Sequence, residues 1–125
     1  MNYSYQHRGT LREVVLQGQL DTSVPRSLES ELLGFIASGE RQLVFDFAQV
    51  DYLTSAGIRV LLHVFKTMTA VNGRLVFHSL NPRVKHVFEI AGLTQVFRIY
   101  DTPGEALQGL ALTGMLPPQA LPNAQ

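Results

Sequence analysis

The 125-residue chain contains no cysteine and no tryptophan. Without cysteine there is no disulfide framework, no thiolate nucleophile and no sulfur ligand for a metal, the pattern of a chain at home in a reducing compartment. Charge imbalance is missing too, because ten Lys+Arg offset ten Asp+Glu for a formal net charge of zero. No long-range positive field is available to select phosphate backbones or anionic membranes, so nucleic acid is not an expected partner. No apolar stretch reaches spanning length either: Leu61 and Leu62 are hemmed in by Arg59, His63 and Lys66. Met1 to Arg8 lacks the apolar core of a signal peptide, so a soluble protein without direct membrane insertion is expected. His7, His63, His78 and His86 show no metal-ligand spacing and read as surface or half-buried side chains. Glycine-rich phosphate loops are absent, and no cofactor is implied. Asp46, Asp51 and Ser55 with a histidine do not read as a hydrolase, because no Gly-x-Ser-x-Gly elbow surrounds the serine. Catalysis is not the expected activity.

What remains is enough apolar material, 46% of the residues against 16% charged, to fill the core of one globular domain. Tyr3 and Tyr5, then Leu11 to Leu20, read as two strands turned through Gly9-Thr10, which places an antiparallel hairpin at one edge. Thr22-Ser23-Val24-Pro25 precedes Leu28, Leu32, Leu33, Phe35 and Ile36 at helical spacing, and that helix closes near Gly39. Gln42 to Phe47 predicts a buried central strand, followed by a helix from about Ser55 to just before Asn72-Gly73 and a strand over Arg74–Phe77. Asn81-Pro82 opens a third helix with Val84, Val87, Phe88 and Ala91 on one face, closed by Gly92, and Val96–Tyr100 reads as the last strand. Thr102 and Glu105 stand at capping-box spacing before a fourth helix carrying Ala106, Leu107, Leu110 and Ala111. The fold class is α/β: residues 1–114 form one domain with a mixed sheet of four or five strands and about four helices, and the proline-containing segment 115–125 is expected to be a mobile tail.

The stretch from Val44 to Leu62 is the most informative, reading as a buried strand, a polar turn at Ala48–Thr54, and a helix entrance of small residues, Ser55-Ala56-Gly57. Open α/β sheets commonly place their sites at such a carboxyl end of a strand. In the helix that follows, Ile58, Leu61, Leu62, Phe65 and Met68 predict an inward face, with Arg59, His63 and Lys66 opposite and Val60, Val64 and Val71 flanking that polar stripe. Periodicity leaves two readings of those valines: an apolar edge of a partner interface, or packing beneath a neighbouring helix. On position alone Ser55 reads as a helix N-cap.

Here the chain resembles the sulfate-transporter and anti-sigma-factor-antagonist (STAS) domain family, whose pattern is an aspartate-bearing strand, a short loop, serine, a small residue, glycine and an amphipathic helix. Gly18-Gln19-Leu20-Asp21 is similar to the family's Gly-x-Leu-Asp, and Asn81-Pro82-x-Val84 with Phe88-x-x-Ala91-Gly92-Leu93 extends the likeness over roughly residues 10–112. The resemblance is strongest to bacterial anti-sigma factor antagonists, and it implies a cytoplasmic partner-switching protein rather than an enzyme. It places Ser55 at the residue phosphorylated by an anti-sigma factor serine kinase, and brings in a serine phosphatase as the opposing partner. Asp21, Asp51, Thr54, Ser55, Ala56, Gly57, Arg59, Val60, His63 and Val64 then form the expected partner-binding set, with Asp21, Asp46 and Asp51 strengthening repulsion once a phosphate is added. Two departures stand out: Thr54 replaces the aspartate common before the serine, and Ala56 replaces a second hydroxyl residue. Thr54 is thus an alternative cap or phosphoacceptor. The departures also keep open a constitutive interaction subunit of a lipid-transport complex, docked on a transporter ATPase.

Overall fold

Gly9 adopts a left-handed conformation, φ 62°, at the first position of a two-residue loop, as the primed hairpin turns require. It joins β1 (Asn2–Arg8) to β2 (Leu11–Leu20) in antiparallel register, Arg8 opposite Leu11. A computed structural model describes the backbone of residues 2–23 and 26–115, with side chains through residue 111, so Val24, Pro25 and the predicted tail from Leu116 onward lie outside the described residues. After the hairpin come α1 (Arg26–Ala37), β3 (Gln42–Leu53), α2 (Ser55–Ala70), β4 (Arg74–His78), α3 (Pro82–Ile90), a short 3-10 turn at Leu93–Gln95, β5 (Arg98–Tyr100) and α4 (Pro103–Met115). The strands lie in the order β1-β2-β3-β4-β5, antiparallel only at the hairpin, which puts β3 at the centre. The expected α/β domain with a mixed sheet and an edge hairpin is thereby realised, among the described residues, with five strands and four α-helices.

Strand alternation sorts the core into two faces. On one, Val14, Leu16, Leu43, Phe45, Phe47, Leu75 and Phe77 join Leu28, Leu32 and Ile36 of α1, Leu61, Val64 and Met68 of α2, and Val84 and Phe88 of α3. Aromatic packing knits this side together: Phe77 meets Phe88 edge-on at 5.6 Å and Phe97 at 4.8 Å between ring centroids. On the other face α4 supplies the cover among the described residues, setting Ala106 and Leu110 against Val44 and Val76.

Four expectations about the fold need correction. First, β3 does not stop at Phe47 and the predicted polar turn is strand: the ladder with β2 continues to Leu20 opposite Leu53, through register shifts between Val15 and Gln17 and between Gly18 and Gln19. Bulges of this kind break the two-residue alternation by which a strand is recognised. Second, His78 is neither surface nor half-buried but 1% exposed, because it sits on the sheet between Asp46 of β3 and Tyr100 of β5. Third, Ala91 is exposed and caps α3 instead of sharing its inner face. Fourth, the last strand begins at Arg98, since Leu93–Gln95 forms a 3-10 turn and Val96 is exposed.

Candidate functional site

Leu20, the last residue of β2, anchors the site. Its carbonyl oxygen accepts from the Thr54 N–H at 2.9 Å. That one residue is all that separates the end of β3 from the start of α2. Gly57, buried in the first turn of α2, lies so close to Leu20 that an added Cβ would fall 2.4 Å from the same oxygen. Only glycine lets the helix descend this far, and its descent aligns the first turn of α2 with the loop that follows β2. In that loop the Asp21 carboxylate accepts from the Ser23 N–H at 2.8 Å and from the Ser23 hydroxyl at 2.6 Å. The hydroxyl bond, with the backbone bond behind it, holds the Asp21 carboxyl below the usual carboxylate range, so it carries full negative charge at neutral pH.

Thr54, not Ser55, is the N-cap of α2: its backbone is extended, φ −120° and ψ −179°, but its side chain makes no capping hydrogen bond. The Thr54 hydroxyl is instead buried without a hydrogen-bond partner. Ser55 is the first helical residue and is exposed. The two hydroxyls are therefore unequal: one faces solvent and the other is covered.

Along α2 the buried residues are Gly57, Leu61, Val64 and Met68, while Ile58, Leu62 and Phe65 are half-buried against the core. Val64, expected as a candidate for an apolar interface edge, is 0% exposed and belongs to the core that also holds Leu28, Leu32 and Ile36 of α1, so the packing reading holds for it. Val71 likewise packs against the core, and Val60 is half-buried beside the solvent-facing stripe. Arg59 and His63 are exposed and Ala56 is half-buried. His63 Nδ1 lies 2.6 Å from Glu29 Oε2 of α1, a link between the two helices. Glu29 went unnoticed in the sequence, as nothing in either helix alone brings the two together.

The aspartates separate. Asp21 follows the strand end against which α2 rests, and Asp51 is exposed two residues before the end of β3. Asp46, expected nearby, is not: it precedes Leu53 by seven residues of strand, roughly 20 Å at about 3.3 Å per residue, and its carboxylate accepts from the Ala48 N–H at 2.9 Å. In the sequence Asn81 reads as a helix opener and as part of the Asn81-Pro82-x-Val84 likeness, with no sign of a tertiary bond. Its side-chain oxygen caps α3 by accepting from the Val84 N–H at 2.8 Å, while its amide donates to the Val50 carbonyl at 2.9 Å, tying α3 to the distal part of β3.

With this geometry in place, the STAS domain model matches residues 2–106. The chain belongs to the STAS domain family. Among its relatives is the Bordetella bronchiseptica anti-sigma factor antagonist BtrV, 42% identical over 84 residues, covering 67% of this chain and 72% of the relative. The fold is shared with the anti-sigma factor antagonist of Thermotoga maritima, at a TM-score of 0.83 and 18% identity over 87% of this chain and 94% of the other. It is shared as well with the phosphorylated form of the Bacillus cell fate determinant SpoIIAA, at a TM-score of 0.69 and 20% identity over 86% and 97% of the two chains. Among the described residues, no helix of this STAS domain is long and apolar enough to cross a membrane.

Proposed function

We propose that this STAS domain is a cytoplasmic anti-sigma factor antagonist that docks on an anti-sigma factor serine kinase through the Asp21–Ser23 loop and the exposed side of α2, and is released when Ser55 is phosphorylated. The observation that carries the reading is the exposed hydroxyl of Ser55 in the first turn of α2, beside a Thr54 hydroxyl that is covered. The naming of BtrV as an anti-sigma factor antagonist supports the role, and so does the existence of a phosphorylated form of SpoIIAA, a protein of the same fold. In the kinase reaction Ser55 Oγ attacks the γ-phosphorus of ATP, a new O–P bond forms as the bond to the ADP oxygen breaks, and the hydroxyl proton passes to water. A serine phosphatase reverses the state by hydrolysis, water taking the phosphoryl group.

A phosphoserine carries about −1.5 to −2 charges at neutral pH. Set in a docked surface already bearing Asp21, it cannot be buried without repulsion and desolvation. The test is to incubate the protein with the kinase encoded beside its gene and ATP, map the product by mass spectrometry, and follow the complex by titration calorimetry. Phosphate is expected at Ser55 and not at Thr54, whose modification requires the helix entrance to open. Ser55→Ala should retain the complex, whereas Ser55→Asp should weaken it about tenfold or more, equivalent to about 1.4 kcal/mol. No modification and no complex would overturn the proposal, and a complex with a transporter ATPase indifferent to Ser55→Asp would replace it with the constitutive-subunit role.

A further inference from the structure

Arg59 lies one helical turn beyond Ser55. Residues four apart on a helix face the same way, with Cβ atoms about 5–6 Å apart, and an anion placed N-terminal to a cation is the better order of such a pair. Both side chains are exposed. The next position on the stripe, His63, already engages Glu29. Among the described residues, by contrast, Arg59 has neither an ion-pair nor a hydrogen-bond partner. The first turn of α2 contains no acidic residue with which it could pair. The stripe thus holds a guanidinium in waiting, and Ser55 is the position from which an anion would reach it. Guanidinium also suits the chemistry, since its planar fork can donate two parallel N–H bonds to phosphate oxygens, which a lysine ammonium cannot do.

We propose that Arg59 is the intramolecular receptor for a phosphate carried on Ser55, so that modification withdraws this guanidinium from the partner-facing surface as well as adding negative charge to it. The inference rests on the reading of Ser55 as the modified residue, and it changes how the switch acts. One event then removes a cation and installs a dianion on the same stripe, and the partner loses a donor in the step that brings it a repulsive group.

The test uses full-length protein with phosphoserine introduced at position 55 during translation, so that no kinase is needed. Phosphorus NMR follows the second ionisation of the phosphate, centred at about pH 6 in an unconstrained phosphoserine. With Arg59 present the midpoint should lie about half a pH unit below that of the Arg59→Ala phosphoprotein, with Arg59→Lys in between, and the Arg59 Nε–H resonance should move with the phosphate titration. The stabilising effect follows the same sign. A lowered ionisation midpoint stabilises the folded state above that midpoint, so at pH 7.5 phosphorylation should raise the melting temperature of the parent more than that of the Arg59→Ala variant, a comparison that cancels the common effect of Asp21, and that difference should fade as the pH drops below 6. Equal midpoints in the parent and Arg59→Ala phosphoproteins overturn the proposal, as does a shift produced by Lys66→Ala and not by Arg59→Ala. Circular dichroism of each variant verifies that the exposed substitution leaves α2 intact. Because the phosphate is installed synthetically, absence of the contact speaks against Arg59 alone, while absence of Ser55 modification by the kinase speaks against the function proposed above.

Discussion

A methyl group at position 57 has no room, because the Leu20 carbonyl oxygen stands 2.4 Å from where it would go and that oxygen is backbone. A flexible side chain could swing aside, but a carbonyl at the end of a paired strand cannot. Gly57→Ala should therefore lift the first turn of α2 off β2 and cost about 1–3 kcal/mol, the usual range for overpacking. Urea unfolding measures it. The same displacement should disturb the Thr54 N–H bond to Leu20, so faster amide exchange at Thr54 is the local signature, and an unchanged Thr54 amide would refute this account. The conformational argument against alanine in a helix does not apply here, since alanine is the better helix former. Contact, and not propensity, keeps the glycine. Ser55 and Thr54 illustrate the complementary point. Adjacent hydroxyls that look interchangeable in the sequence are assigned different fates by the turn between β3 and α2.

Helix α3 is held at its start by a single side chain facing two ways, Asn81 to Val84 N–H and to the Val50 carbonyl. Asn81→Ala removes a cap worth about 1 kcal/mol together with a tertiary bond, so a loss of about 1–2 kcal/mol is expected by thermal or urea unfolding. Asn81→Asp should retain the cap while losing the amide donor, and would recover part of that loss. Most elements were readable beforehand because their apolar spacing is clean and their ends are punctuated: Gly9 at the hairpin, Asn72-Gly73 after α2, Asn81-Pro82 before α3. The distal part of β3 was not readable, because Ala48, Gln49 and Asp51 are exposed while Val50 and Leu53 are buried, and the bulges that reconcile this pattern with a strand belong to the pairing with β2. Rotation of α2 about its axis was also hidden. Two adjacent apolar stripes competed for the interior, and the choice of Gly57, Leu61, Val64 and Met68 depends on the strands and helix packed around α2, which a single helix cannot encode. The burial of His78 was hidden for a related reason, since it follows from the sheet around it and not from its neighbours in sequence.

At the end of the sheet away from Ser55, Arg12 closes the β2–α1 corner: Arg12 Nε donates to Glu40 Oε1 at 2.9 Å, and its guanidinium carbon lies 3.8 Å from the centre of the Phe35 ring. The hydrogen bond from Arg12, aided by its charge and by His7 and opposed by burial, holds the Glu40 carboxyl below the usual carboxylate range. A carboxyl whose ionisation is eased by folding stabilises the protein above its unfolded value, about 4.3 for glutamate, and that contribution fades as the pH falls through the lower folded value. Urea midpoints measured from pH 7 to pH 3 should therefore drop on the acid side, and Glu40→Gln should start lower and show a shallower drop. Parallel curves for the two proteins would contradict the assignment. Charge thus serves different ends at the two poles of this STAS domain, fastening a corner at one and standing unpaired on α2 at the other.

The single-residue joint at Thr54 has a consequence for how such a chain can change over time. Inserting one amino acid there would advance every position of α2 by about 100°, carrying the serine off the solvent side in the same stroke that drives Val64 out of the interior. Exposure of the modifiable hydroxyl and burial of the valine are one geometric variable, so an insertion that spoils the first also spoils folding. With no slack at this joint, a phosphate is read as an alteration of surface chemistry on a rigid mount.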